Sequence, residues 1–181
     1  MNLKAVVVLA LLCVGAAPCA AAPGFDEFWR QTLAELKTIA PSPTMRLAGN
    51  KSSGKAECFK VDYRSLGQRR VYAWYCRPKR TGRSPGIVIN PWYGLGQVEA
   101  PLYIAEMGYA VLAYQGRGYE VDLSSYPPDN SSYMTLGITD PKGYVYREMV
   151  AHALRSLDFL ASRPEVDQAR SGMIGPSQGG G

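Results

Sequence analysis

The strongest constraint on the fold lies in residues 171–181, which read Ser-Gly-Met-Ile-Gly-Pro-Ser-Gln-Gly-Gly-Gly. The short apolar run before Gly175 is typical of a buried strand, and the glycine-rich residues after Ser177 suit a sharp turn into a helix. Strand, turn and helix start are the context in which G-x-S-x-G marks a nucleophilic serine held on a strained backbone. We therefore predict that Ser177 is a nucleophile. The alternative is a Gly/Ser-rich loop at the end of a domain.

The partners of such a serine are not where the motif requires them. In this class an Asp or Glu and then a His follow the serine, whereas the sequence stops at Gly181. The single histidine, His152, precedes it. An apolar stripe through Val150 and Leu154 on a helix over 143–161 predicts that His152 is solvated on the outer face. The chain is therefore expected to be the N-terminal part of an enzyme and inactive as it stands.

The first residues predict export. Lys4 precedes the apolar run 5–15, and small residues crowd at 16–22, which is the layout of a secretory signal peptide. The run is short for a membrane span, so no stable membrane anchor is expected. We place cleavage after Ala21, which leaves 22–181 as part of a single domain in a secreted or periplasmic protein.

Cleavage at that point leaves two cysteines, Cys58 and Cys76, in an oxidising compartment. Both lie in alternating segments typical of strands, at 56–63 and 70–76. A hairpin about Gly67 places the two cysteines directly opposite each other, because each is nine residues from the glycine. The sequence therefore predicts a disulfide across the hairpin. The alternative is two unpaired, buried thiols.

After the hairpin the chain alternates short apolar runs with amphipathic segments. This order predicts an α/β fold with a mostly parallel sheet that begins with an antiparallel hairpin and stops after the turn at Ser177. The expected strands beyond the hairpin are 86–90, 109–114 and 171–174, and the expected helices are 25–39, 98–107 and 143–161.

The charge pattern gives little support to binding of nucleic acid. The net charge of +5 is modest, and its one cluster, 77–83, is a loop broken by proline and glycine. No metal-ligand spacing is present, so neither a metal nor another cofactor is expected. Several aromatic side chains could offer flat faces to sugar rings or simply pack in loops: Trp92, Tyr93, Tyr119, Tyr126 and Tyr133.

Taken together, four stretches resemble the acetyl xylan esterase/cephalosporin C deacetylase family of α/β-hydrolases. The last of them, Ser-Gln-Gly-Gly-Gly at 177–181, is the most specific, particularly when joined to Pro-Glu-Val-Asp at 164–167. The resemblance covers nearly all of 24–181 but only about the first half of a family member. The other stretches are Phe28-Trp29 with Thr32, Leu33 and Leu36; Gln115-Gly116-Arg117-Gly118; and Tyr144-Val145-Tyr146-Arg147 with 153–158.

The resemblance implies an oxyanion hole formed by the backbone N–H of Gln178 and a second N–H from the loop after strand 86–90. Asn90-Pro91-Trp92 stands there in place of the family's usual His-Gly-Tyr. Because Pro91 has no N–H, Trp92 is the expected second donor. The aromatic rings of Trp92 and Tyr93 are also expected to contact substrate.

The implied chemistry is acyl transfer through Ser177, with acetylated xylo-oligosaccharides or similar small acetyl esters as substrates. Relatives are often oligomeric, so the resemblance also implies a homo-oligomer. Two alternatives remain at this point. One is another α/β-hydrolase, of dienelactone-hydrolase or peptidase type, and the other is a non-catalytic exported carbohydrate-binding remnant.

Overall fold

A computed structural model describes residues 24–92, 98–115 and 133–180 of the chain. None of the helices in these ranges is long and apolar enough to span a membrane. The described ranges hold the helices α1 (Phe25–Thr38), α2 (Leu102–Glu106) and α3 (Val145–Ala161), and the strands β1 (Thr44–Leu47), β2 (Ala56–Arg64), β3 (Arg70–Pro78), β4 (Ser84–Ile89), β5 (Ala110–Tyr114) and β6 (Val166–Ile174).

The six strands form one mixed sheet in the order β1-β2-β3-β5-β4-β6. Strands β1, β2, β3 and β5 pair antiparallel, and β4 pairs parallel with both β5 and β6. The predicted α/β architecture with an antiparallel N-terminal hairpin is therefore confirmed. In this arrangement the carboxyl ends of β4, β5 and β6 lie side by side along one edge of the sheet.

Three elements differ clearly from the prediction. Strand β6 begins at Val166 rather than at Ser171, because Val166 and Asp167 also pair with β4. Strand β1 was not predicted, because its four residues alternate weakly and only pairing with β2 makes them a strand. Helix α2 begins at Leu102 rather than near Val98, since Pro101 takes the position before the first helical residue.

Apolar packing covers both faces of the sheet. On one face, α3 packs against inward-facing side chains of the strands, with the ring of Phe159 stacked on Tyr63 at 5.4 Å and edge-on to Tyr75 at 5.7 Å. On the other face, α2 contributes Ile104 and Ala105 to a second cluster. The sheet is thus enclosed between helical layers, which fixes the position of the edge where β4, β5 and β6 end.

The hairpin has the predicted register, with Cys58 paired directly with Cys76. Their sulfur atoms are joined in a disulfide between β2 and β3, and both residues are fully buried under α2. The link closes a loop with a sequence separation of 18 residues. It therefore fastens the antiparallel half of the sheet.

The prediction of a solvated His152 was wrong. The side chain is buried, and its Nδ1 lies 2.9 Å from the hydroxyl of Ser65 in a hydrogen bond. Val150, which had been placed on the apolar stripe, is instead exposed. The reason is that α3 buries one side against the sheet and another against α1 and the turn after β2, so that its polar residues are also enclosed.

Candidate active site

Ser177 lies in a sharp turn directly after β6, at the start of a short 3-10 helix (Ser177–Gly180). Its φ of 53° is in the left-handed region, which non-glycine residues rarely adopt. Residues held in such a conformation carry strain that the surrounding structure must maintain, and they concentrate at functional sites. The side chain is exposed. The predicted strand–turn–helix context of the motif is therefore present.

The glycines of the motif are required by close contacts within the turn. A Cβ added at Gly175 would overlap the carbonyl of Gly179 and lie 2.8 Å from the Cβ of Asn90. A Cβ at Gly179 would lie 2.8 Å from the carbonyl oxygen of Pro91. Any larger residue would push the turn away from the loop that follows β4. The sequence therefore specifies not only the turn but also its contact with that loop.

Asn90 connects the two segments through its side chain. Its Nδ2 donates to the Gly179 carbonyl at 3.0 Å, and its Oδ1 accepts a 3.1 Å hydrogen bond from the hydroxyl of Tyr114. Its backbone N–H donates to the Ile174 carbonyl at 2.7 Å. The end of β4, the end of β5 and the turn at Ser177 are thus held as one unit.

Burial raises the pKa of the Tyr114 hydroxyl well above its ordinary value. The hydroxyl is already a neutral hydrogen-bond donor near neutral pH, and burial extends that behaviour to more alkaline pH. This matters here because a tyrosinate could only accept hydrogen bonds and would lose its contact with Asn90 Oδ1.

Gln178 is held by the first turn of α3. Its Nε2 donates to the hydroxyl of Tyr146, and the ring of Tyr146 stacks on Tyr144 at 5.2 Å. The hydroxyl of Tyr144 in turn donates to the carbonyl of Met134 at 3.0 Å. The residue after the serine is therefore anchored to a helix on one side, while Gly179 is anchored to Asn90 on the other.

The expected donors of the oxyanion hole lie on these two anchored segments. The Pro91 carbonyl oxygen faces Gly179, since it lies 2.8 Å from the position of a Cβ on that glycine. The N–H of Trp92 belongs to the same trans peptide and points to the opposite side of it. Gln178 immediately precedes Gly179. Trp92 is 47% exposed. The loop after β4 therefore contacts the turn through Asn90 and Pro91, and the donor roles of Gln178 and Trp92 remain predictions.

Several predicted residues lie outside the described part of the chain. These are the signal-peptide residues, Tyr93 and the loop residues Gly116-Arg117-Gly118, Tyr119 and Tyr126. Their proposed roles remain predictions. Of the long loop, the residues from Tyr133 onward are described and include a short 3-10 helix, Tyr133–Thr135.

His152 does not serve Ser177 as a base in this arrangement. It is buried beside Ser65, which follows β2, whereas Ser177 follows β6, four strands away in the sheet. In the described ranges, no group of three or more His, Cys, Asp or Glu side chains is arranged to hold a metal.

Sequence reasoning missed three contributors to the site: Asn90, Tyr114 and Tyr146. The replacement of His-Gly-Tyr by Asn-Pro-Trp did draw attention to the loop, but only as a change in the donor position. An amide directly after a buried strand was the available signal, since its carbonyl and amino groups must find partners when partly enclosed.

The comparisons with known proteins agree with this geometry. The acetyl xylan esterase (AXE1) family model matches residues 17–181. The chain therefore belongs to the acetyl xylan esterase family, with the α/β-hydrolase type of fold that its six-stranded sheet shows.

Three relatives show how far the similarity extends. The acetyl esterase Axe7A of Xylanibacter ruminicola is 22% identical over 168 residues, which are 86% of this chain and 38% of that protein. The acetyl xylan esterase from Paenibacillus sp. R4 is 29% identical, with a TM-score of 0.76 over 87% of this chain and 53% of that one. A dienelactone hydrolase-like promiscuous phosphotriesterase from metagenomic libraries is also 29% identical, with a TM-score of 0.50 over 67% of this chain and 49% of that one.

The chain thus spans about half the length of the solved structures that it resembles, and less of the curated relative. The acetyl xylan esterase superposes over more of the chain than the dienelactone hydrolase-like protein does, and with a higher TM-score.

Proposed function

We propose that the protein is a secreted serine esterase that removes acetyl groups from acetylated xylo-oligosaccharides or similar small acetyl esters. The observation that carries the proposal is the φ of 53° at Ser177, in a turn after β6 whose Gly175 and Gly179 pack against the loop after β4. The family membership of residues 17–181 supports the choice of an acetyl ester.

In the proposed mechanism, Ser177 Oγ attacks the carbonyl carbon of the acetyl ester while a histidine accepts its proton. The C–O bond to the sugar breaks, the sugar oxygen takes the proton, and the acetyl group remains on Ser177. Water then attacks this acyl-enzyme and releases acetate. The backbone N–H groups of Gln178 and Trp92 are proposed to bind the oxyanion in both steps.

The acid and the histidine of the triad are proposed to follow Ser177 in the full-length protein, because that is the order of this motif class. Export through residues 1–21, with cleavage after Ala21, and assembly into a homo-oligomer are part of the same proposal. Trp92 and Tyr93 are proposed to contact the sugar. The exposure of Trp92, next to the Pro91 that contacts the turn, supports its part in this.

The proposal is tested by hydrolysis of nitrophenyl esters from acetyl to octanoyl, and of acetylated xylan, by the full-length protein. A site shaped for acetyl discriminates by about 1–3 kcal/mol for each extra methylene, so kcat/KM should fall steeply by the butyryl ester. Ser177→Ala is the control and should remove turnover. Equal or faster hydrolysis of octanoyl esters, or of peptides, would contradict the assignment to acetyl esters while leaving the hydrolase fold intact.

A further inference from the structure

Asn90 makes three hydrogen bonds, of which the backbone bond continues the pairing of β4 with β6 and the two side-chain bonds use the amide group. The backbone N–H donates to Ile174 at the end of β6, the side-chain Nδ2 donates to Gly179, and Oδ1 accepts from Tyr114. The residue therefore contacts the strand before the turn at Ser177 and the helix start after it. These contacts place Asn90 on the turn over 175–179, which we call the elbow, but not on the reacting atoms.

From this arrangement we infer that Asn90, supported by Tyr114, is a positioning residue that sets the spacing between the two N–H donors of the oxyanion hole. The inference rests on the proposed function, since those donors act on an ester carbonyl. One donor, Gln178, is the residue before Gly179. The other, Trp92, is two residues after Asn90 and is separated from it by the rigid Pro91.

The chemistry of the position favours an amide. The Gly179 carbonyl can only accept, so the group facing it must be the Nδ2 donor, and the opposite oxygen must then face Tyr114. A carboxylate of the same shape could accept from Tyr114 but would repel the Gly179 carbonyl. The hydroxyl of Tyr114 donates to Oδ1 and so fixes which end of the amide faces Gly179.

Loss of this positioning should weaken the binding of the transition state more than the binding of the substrate. Oxyanion donors act only when they lie about 2.7–3.1 Å from the developing oxyanion, and loss of one donor typically lowers kcat by 10²–10³. Loosening one donor relative to the other should therefore lower kcat and leave KM nearly unchanged, because the oxyanion does not exist in the ground state.

The test uses the full-length protein and the variants Asn90→Asp, Asn90→Ala and Tyr114→Phe. The matched control is Tyr63→Phe, which removes another buried tyrosine hydroxyl, bonded to Ser156 at 2.6 Å on the α3 side of the sheet. For nitrophenyl acetate, we expect kcat to fall about 10- to 100-fold in both Asn90 variants and about 3- to 10-fold in Tyr114→Phe, with KM within about 3-fold. The control should keep its kcat.

A second readout separates positioning from a merely structural role. A trifluoromethyl ketone forms a tetrahedral adduct that places an oxyanion between the two donors, so its Ki should rise by the same factor as kcat/KM falls. Thermal melting verifies that each variant is folded. If Asn90→Ala does not fold, the variants of similar shape, Asn90→Asp and Tyr114→Phe, still test the inference. Unchanged kcat in folded variants, a loss confined to KM, or an unchanged Ki would each overturn the inference.

Failure of the proposed function would look different. If the parent protein does not hydrolyse acetyl esters, the proposed function is contradicted. The inference is then tested by the rate at which a fluorophosphonate modifies Ser177, because the phosphoryl oxygen of this reagent occupies the oxyanion hole. A rate at least about 10-fold lower in Asn90→Asp than in Tyr63→Phe supports the positioning role. Equal rates in the two variants overturn it.

Discussion

The hydroxyl of Tyr75 donates a 2.9 Å hydrogen bond to Glu165, which joins the middle of β3 to the residue before β6. Arg77 donates to the same carboxylate oxygen at 2.9 Å and also bonds to Glu57 on β2. The antiparallel half of the sheet is thereby tied to the strand that carries Ser177. The contact lies at the end of β6 opposite the elbow, so it holds the strand without taking part in the chemistry.

This contact predicts a pH dependence of stability. Burial acts to raise the pKa of Glu165, but hydrogen bonds from its own backbone N–H, from Arg77 and from Tyr75 outweigh burial and lower it below its ordinary value. A carboxyl whose pKa is lowered in the folded state stabilises the protein at pH values above its unfolded-state pKa of about 4.5. This contribution is lost as the pH falls through the folded-state pKa.

We therefore expect Glu165→Gln to be less stable than the parent at neutral pH, with a difference that shrinks below about pH 4. Chemical denaturation at a series of pH values measures it. Glu99→Gln, which alters an exposed pair with Lys51, is the control and should follow the parent. Parallel stability profiles for Glu165→Gln and the parent would contradict the role of the contact.

Removal of the disulfide should weaken the antiparallel half of the sheet. For a link between residues 18 apart, the chain-entropy treatment gives a loss of about 3 kcal/mol in the free energy of unfolding of Cys58→Ala/Cys76→Ala. Denaturant unfolding measures the loss, and mass spectrometry of a non-reduced digest should show the two peptides linked. Recovery of both thiols in free form from the native protein would rule out the bridge.

The buried pair of His152 and Ser65 should contribute to stability as a unit. In a double-mutant cycle with His152→Ala and Ser65→Ala, we expect a coupling energy of about 1 kcal/mol, the usual net contribution of a hydrogen bond. Thermal or denaturant unfolding of the four proteins measures it. Strictly additive losses would show that the contact in the structure contributes nothing.

The tight packing of the elbow predicts a contrast between two glycines near the end of the chain. Gly179→Ala places a methyl group 2.8 Å from the Pro91 carbonyl and should cost about 1–3 kcal/mol as well as esterase activity. Gly172→Ala, in β6, meets nothing within 4 Å and is the control. Similar melting temperatures and activities for the two variants would mean that the turn does not press on the loop after β4.

Local patterns predicted the parts of the molecule that depend on neighbours in sequence. The turn chemistry around Ser177 and the symmetry of the hairpin about Gly67 fixed the elbow and the pairing of Cys58 with Cys76. Both depend on backbone geometry over a few residues, which periodicity and turn residues describe directly.

Contacts between distant segments could not be predicted in this way. The partner of Asn90 is 89 residues further along the chain, and that of His152 lies 87 residues before it. One apolar stripe was expected on α3, but the helix is enclosed on two sides, and Arg155 uses the second side to donate to the carbonyls of Leu36 and Ile39. A polar residue buried by a distant partner has the same sequence pattern as a solvated one.

The most direct test of the account is to trap the acyl-enzyme. The full-length protein is mixed with nitrophenyl acetate, quenched in acid within the first turnover and digested for peptide mapping by mass spectrometry. We expect one acetyl group on the peptide that contains Ser177, and none on that peptide in Ser177→Ala. Turnover of the ester with the acetyl group on another residue, or turnover that persists in Ser177→Ala, would contradict it.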